Sequence, residues 1–197
     1  MAERPIEEAA AERTDAVLGA LADRWGDAPR LDPVSLGPRA HDPDAPPSTL
    51  DDQLSIAGGI ASTVVFYTPE RRETVLVYNR NGGWEPPGGV VEADQTPEDA
   101  ARVEAREETG LSVELTGLLY TRRAEFRYAS GRAVDVPVAQ FVGHRTSGSL
   151  AVEREGRSHP GTTRATGLFD RETLPPMRRD RDRVRRLLAD PPPWSPE

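Results

Sequence analysis

The sequence predicts an α+β fold in which strands surround one strong helix. Three observations carry this. Runs rich in β-branched and aromatic residues recur at 61–68, 74–78, 113–128 and 132–142. A capped helical pattern follows the second run, over 97–109. Amphipathic helical spacing appears near both ends of the chain.

Taken in order, residues 5–25 place Ile6, Ala10, Thr14, Val17, Leu18, Leu21 and Trp25 at spacings of three and four, and Gly26 follows as a stop signal. This predicts a helix packed on the main domain, with a dimerisation helix as the alternative. Residues 27–56 hold six prolines among many Asp and Ser, which predicts a linker or irregular wrap. The first two strands are joined by a turn at 69–73. Ala129-Ser130-Gly131 joins the two longer runs as a hairpin. Gly167-Leu168-Phe169 is a short apolar stretch ahead of Leu174-Pro175. Val184, Leu187 and Leu188 mark one face of a last helix, 180–189, before a Pro-rich tail. The expected organisation is therefore an N-terminal helix and Pro-rich extension over 1–56, a main domain over 57–190 and a tail over 191–197.

Composition narrows the function. The 197 residues contain 25 Arg and no Lys against 33 Asp and Glu, a formal net charge of −8. Such a chain is a poor non-specific binder of nucleic acid, because neutralising phosphates needs an excess of cations, so no stable nucleic-acid complex is expected. With no cysteine there is no disulfide, thiolate metal site or cysteine nucleophile. No apolar run approaches the roughly 20 residues needed to span a bilayer, and the acidic N-terminus lacks the apolar stretch of a secretory signal. A cytoplasmic protein without membrane attachment is the expectation. His41, His144 and His159 are scattered and suggest no zinc site.

The chemistry concentrates in Trp84 to Leu111. Pro86-Pro87-Gly88-Gly89 reads as a tight turn whose glycines let the backbone approach a ligand closely. Thr96 is an N-cap, Pro97 the first helical residue, Glu98 and Asp99 suit the positive end of the helix dipole, and Gly110 stops the helix. Glu104, Glu107 and Glu108, at i, i+3 and i+4, share one helix face. Three carboxylates so close repel unless a cation joins them, and oxygen-only ligands suit Mg²⁺ or Mn²⁺. A solvated face paired with Arg102 and Arg106 is the competing reading.

The glycine turn, the 14-residue spacer and the E-x-x-E-E-x-G-L ending together resemble the Nudix box. The chain matches that pattern at Gly89, Glu104, Glu107, Glu108, Gly110 and Leu111, with Ala105 at the apolar position. Trp84, Pro87-Gly88-Gly89 and Leu168-Phe169…Leu174-Pro175 extend the resemblance over about 58–190. It departs at Gln95, where the first Glu belongs, and at Val103, where Arg belongs. Losing one would strand a charge; losing both strands none. Asp94 offers a substitute carboxylate, and a bridge from Arg102 or Arg106 to Glu104 a substitute support.

The resemblance implies an α/β/α sandwich, a mixed β-sheet flanked by helices. It implies a pyrophosphohydrolase acting on acid anhydrides, specifically nucleoside diphosphate derivatives, with Mg²⁺ or Mn²⁺. It assigns the metal to Glu104, Glu107 and Glu108 with the Gly89 carbonyl, and it places a water-activating carboxylate among these glutamates or in a later loop, where Glu153 and Glu155 lie. For substrate, Tyr128 sits near a tyrosine of dinucleoside polyphosphate hydrolases. Arg122, Arg123, Arg127 and Arg132 flank the hairpin as phosphate ligands or as exposed strand charges. Of these, Arg122, Arg127 and Tyr128 are the substrate-binding candidates. Family members often dimerise, which leaves a homodimer open. The alternative function, motivated by Gln95 and Val103, is a weakened module that binds a nucleotide or protein partner. An isopentenyl diphosphate isomerase shares the fold but resembles chemistry needing a catalytic cysteine, which is absent here.

Overall fold

The computed structural model describes residues 5–26, 28–37, 42–67, 73–80, 82–151 and 163–189. Its elements run α1(Ile6–Trp25), β1(Arg30–Leu36), α2(Leu50–Ala57), β2(Ile60–Phe66), β3(Thr74–Asn79), β4(Gly83–Glu85), β5(Gly88–Val90), α3(Pro97–Thr109), β6(Leu111–Arg127), β7(Ala133–Gly148), β8(Thr163–Phe169) and α4(Arg181–Ala189). The strand order is β1-β6-β7-β2-β3-β4, with β5 on β2 and β8 on β3. The sheet is mixed, since β1 runs parallel to β6 while β3 is antiparallel to β2, β4 and β8. Among the described residues no helix is long and apolar enough to cross a membrane. The chain divides into two compact units.

The first unit comprises Met1–Ala61, Val90–Ala100 and Leu118–Gln140. Its α1 buries Ile6, Ala10, Thr14, Leu18 and Leu21, the stripe that the spacing predicts. Ile6 and Ala10 join Ala124, Phe126, Tyr128, Val134, Val136 and Val138 in one apolar core. The first two residues of the α1 stripe are therefore packed inside their own unit. Around this core run ion pairs. Arg123 joins Asp15 and Asp135, and Arg132 joins Glu7.

The stretch read as irregular, 27–56, differs in the structure: it contains β1 and α2. β1 pairs with β6 from Arg30↔Thr121 to Leu36↔Phe126, with a register shift between Leu31 and Val34. Pro33 falls inside that shift. β1 is the terminal strand of the order, where a residue without an N–H is tolerated. α2 starts at Thr49, whose hydroxyl oxygen accepts from the Asp52 N–H at 3.2 Å.

Glu98 lies in the first turn of α3 and, at 4% exposure, is one of the few buried charges. Its Oε1 accepts from Arg24 Nη1 at 2.9 Å and from Trp25 Nε1 at 3.0 Å. The end of α1 is thereby clamped to the start of α3, 73 residues later in sequence. Arg24 is 61% exposed on its side chain, so it rehydrates when its partner is removed. Glu98→Ala should therefore lose about 2 kcal/mol, the scale of charged hydrogen bonds, and not the larger penalty of a stranded buried ion. Urea unfolding of the two proteins measures this difference.

The second unit comprises Ser62–Gly89, Ala101–Gly117 and Phe141–Glu197. β3 is buried from Thr74 to Val77, as suits a strand covered on both faces. It pairs with β4 at Tyr78↔Trp84 and with β8 from Thr74↔Phe169 to Asn79↔Thr163. α4 buries Val184 and Leu188. The predicted turn at 69–73 falls almost wholly, and the tail 191–197 wholly, outside the described residues.

Candidate active site

α3 forms where its signals predict. The Asp99 N–H donates to the Thr96 hydroxyl at 3.2 Å, and the Thr96 N–H donates back to Asp99 Oδ2 at 3.4 Å, a reciprocal cap. The helix ends at Gly110, whose φ of 75° favours glycine. A Cβ there would also come within 2.6 Å of the Ser149 carbonyl oxygen. Ala100, Ala101 and Ala105 are fully buried, so small side chains let the helix pack closely. Arg102, Val103 and Arg106 are exposed, Glu104 and Glu107 half-buried, and Glu108 buried.

The turn preceding this helix is set by an aromatic brace. Trp84 packs edge-on against Tyr78 at 5.4 Å and against Phe169 at 4.8 Å. From Trp84 the chain passes through buried Pro86 and Pro87 into Gly88-Gly89, and the Thr63 N–H donates to the Pro87 carbonyl at 3.0 Å.

Helix and turn then lock together. The Gly88 N–H donates to Glu108 Oε2 at 2.9 Å, and the Thr163 hydroxyl donates to Glu108 Oε1. Glu108 is 4% exposed, so both of its oxygens are fixed by these donors. The Glu104 carboxylate lies directly over Gly89, where a Cβ would collide with it and stand 2.5 Å from Cδ. Only glycine leaves that space open.

Nearby in the chain, Glu85 accepts from Asn79 Nδ2. Burial holds the Glu85 carboxyl above the usual carboxylate range, opposed by the positive charges of Arg178 and Arg179.

The two departures from the motif have different outcomes. Gln95 closes the loop ahead of α3: its Oε1 accepts from the Glu92 N–H at 3.2 Å, and its own N–H donates to the Glu92 carbonyl at 3.1 Å. Asp94 is exposed. Val103 is 40% exposed on the solvent side of the helix.

Gly89, Glu104, Glu107 and Glu108 belong to the second unit, and Arg122, Arg127 and Tyr128 to the first. Tyr128 is 2% exposed in the core, with its hydroxyl donating to Gln53 Oε1. This arrangement accounts for the tyrosine as packing. Arg127 donates to Ser35 Oγ at 2.7 Å and pairs with Glu125. Arg122 lies 5.3 Å from the Tyr120 ring centroid. Glu153, Glu155, His41 and His159 lie outside the described residues. His144 is half-buried, with Nε2 3.6 Å from Glu114 Oε2.

Thr163 and Glu85 had no signal in the sequence. Thr163 is remote in the chain from the box, and Glu85 gains its setting only from Asn79 and Arg178.

Among the described residues, no three Asp, Glu, His or Cys side chains are gathered into a ready-made metal cage. That is compatible with Mg²⁺, which keeps several waters and binds through one or two carboxylates plus substrate phosphates. The donor set is all oxygen, and the Glu104 carboxylate already stands over a glycine backbone. The residues fit a hard divalent cation.

A model of the NUDIX domain matches residues 59–188. The chain belongs to the Nudix family. Over 38 residues it is 55% identical to a MutT-like protein of Streptomyces ambofaciens. That match covers 19% of this chain and a quarter of the relative's length. Among solved Nudix-type structures, an ADP-ribose pyrophosphatase of Streptococcus suis is similar at 20% identity and a TM-score of 0.42, over 60% of this chain and 78% of that one. A MutT NUDIX hydrolase of Burkholderia pseudomallei is similar at 20% identity and a TM-score of 0.48, over 66% and 96%. The mixed sheet and the glutamate helix of the present chain are those expected of a Nudix protein.

Proposed function

We propose that this Nudix protein is a divalent-metal-dependent pyrophosphohydrolase acting on a nucleoside diphosphate derivative. The observation that carries the reading is the coupling of the glycine turn to the glutamate helix, in which Glu108 accepts the Gly88 N–H while Glu104 overlies Gly89. Glu104, Glu107 and Glu108, with the Gly89 carbonyl, would hold Mg²⁺ or Mn²⁺. The bound cation would neutralise pyrophosphate charge and acidify a water. The protein's own contribution is orientation. Two donors fix the Glu108 carboxylate, so it need not reorganise when charge develops. In this reading residues 57–190 are the catalytic domain and residues 1–56 an extension. The setting is a cytoplasm that supplies Mg²⁺ and has no call on disulfides.

The experiment is product release from nucleoside triphosphates, ADP-ribose, diadenosine polyphosphates, NADH and nucleotide sugars, with Mg²⁺, Mn²⁺ or EDTA. Turnover of one class that EDTA removes supports the proposal and names the substrate. A second reading is favoured by Val103, which leaves the arginine position of the box without a cation. In it the chain binds a nucleotide or a protein partner without turning anything over. Calorimetric binding of one nucleotide by a folded protein that hydrolyses none of the panel would select it.

A further inference from the structure

The second unit contains a cavity of about 380 Å³ at the start of α4. Five arginines and two aspartates line it, an excess of three positive charges on a chain whose net charge is −8. Its frame is built. The Arg178 N–H donates to the Trp84 carbonyl at 3.1 Å. Arg181 Nε and Nη2 donate to the Pro175 and Leu174 carbonyls at 3.0 Å each. Asp180, held at a φ of 58° that non-glycine residues rarely adopt, pairs with Arg183 at 2.9 Å.

The Arg178 guanidinium stands 4.0 Å from Glu85 Oε1, which leaves two guanidiniums. Among the described residues, the side chains of Arg179 and Arg186 make no hydrogen bond or ion pair; both are exposed and line the cavity, and the Arg179 charge also acts on Glu85. Arg179 lies two residues ahead of α4, while Arg183 and Arg186, three apart within it, share one helix face, and all three line the cavity. Like charges gathered in a concave site repel one another and focus a positive potential until an anion enters. Guanidinium groups match phosphate oxygens two at a time. The volume falls within the range of small-ligand sites, about 300–1,000 Å³.

We propose that this cavity is an anion site for a condensed-phosphate chain, with Arg179 and Arg186 as its principal contacts. Such a chain has two sources: the phosphate tail of a nucleotide substrate, or a free inorganic oligophosphate. The site does not depend on the hydrolase reading, because its occupancy is measured without turnover.

The test is calorimetric titration of inorganic tripolyphosphate into the full chain in EDTA, where metal-bridged binding at the glutamates is removed. Wild type and the Glu108→Gln protein should bind alike. Arg179→Gln/Arg186→Gln should weaken binding at least tenfold. Arg164→Gln/Arg171→Gln, which removes the same charge from exposed positions outside the cavity, should leave it unchanged. Absence of binding by wild type, or equal losses in both double variants, would overturn the proposal. The source is then read from steady-state kinetics on whichever substrate of the panel is turned over. A raised KM at unchanged kcat in the Arg179/Arg186 variant marks the site as holding the substrate's tail. Lost tripolyphosphate binding with both constants unchanged marks a site for the free oligophosphate.

Discussion

Glu108→Gln is expected to remove metal-dependent turnover by at least about 10³-fold, equivalent to about 4 kcal/mol of transition-state stabilisation, while the protein stays folded. The structure explains why folding survives. Glu108 receives two donors, the Gly88 N–H and the Thr163 hydroxyl. A glutamine amide can turn its oxygen to the Gly88 N–H and donate its NH₂ to Thr163, because a hydroxyl both donates and accepts. The charge is lost but no buried donor is stranded. Glu108→Ala differs, since it leaves the Gly88 N–H without its acceptor and should lose a further 1–3 kcal/mol, roughly. Rate assays and urea unfolding on the pair separate the two effects. A glutamine variant that keeps its Mg²⁺-dependent rate would sink the assignment of Glu108.

Gly89→Ala is the second large effect, and it acts in the opposite manner: a methyl group is added and no functional group is removed. The added methyl would occupy the space of the Glu104 carboxylate. That carboxylate ends a flexible side chain, so it swings aside and the backbone need not move. Stability should change by less than about 1 kcal/mol, since alanine also restricts the unfolded chain. Turnover should fall on the order of 10²-fold, the scale of an ångström misplacement at a reacting centre. Thermal melts beside kcat and metal-activation curves test this. An unchanged rate with an unchanged metal requirement would show that Glu104 has no role over Gly89.

The elements whose signals are local were legible in the sequence. α3 has its cap, its Pro97 and its Gly110 written into adjacent residues, and the hairpin at Ala129-Ser130-Gly131 closes with the Tyr128 N–H donating to the Arg132 carbonyl at 2.9 Å. β1 was not legible, because Pro33 argues against a strand and the pairing with β6 is parallel and about 90 residues distant. α2 had a signal that prolines on its N-terminal side masked: Thr49 and Asp52 repeat the threonine–aspartate spacing of Thr96 and Asp99. At the site, spacing placed three glutamates on one face of a helix. It carried no information on which of them is buried, because that depends on Thr163, 55 residues away from Glu108. Tyr128 shows the converse limit. Its position fitted a marker, while its partner Gln53 sits in a helix that the composition concealed.

The hydrogen bond from Gly88 to Glu108 has a spectroscopic consequence. An amide proton held by a buried carboxylate resonates well downfield of its neighbours and exchanges slowly with solvent. Gly88 therefore supplies a single NMR line that follows the state of Glu108 with no substrate present. A divalent cation drawing on the same carboxylate would weaken that bond and move the line upfield, so engagement of the glutamate could be titrated before any substrate for the protein is in hand.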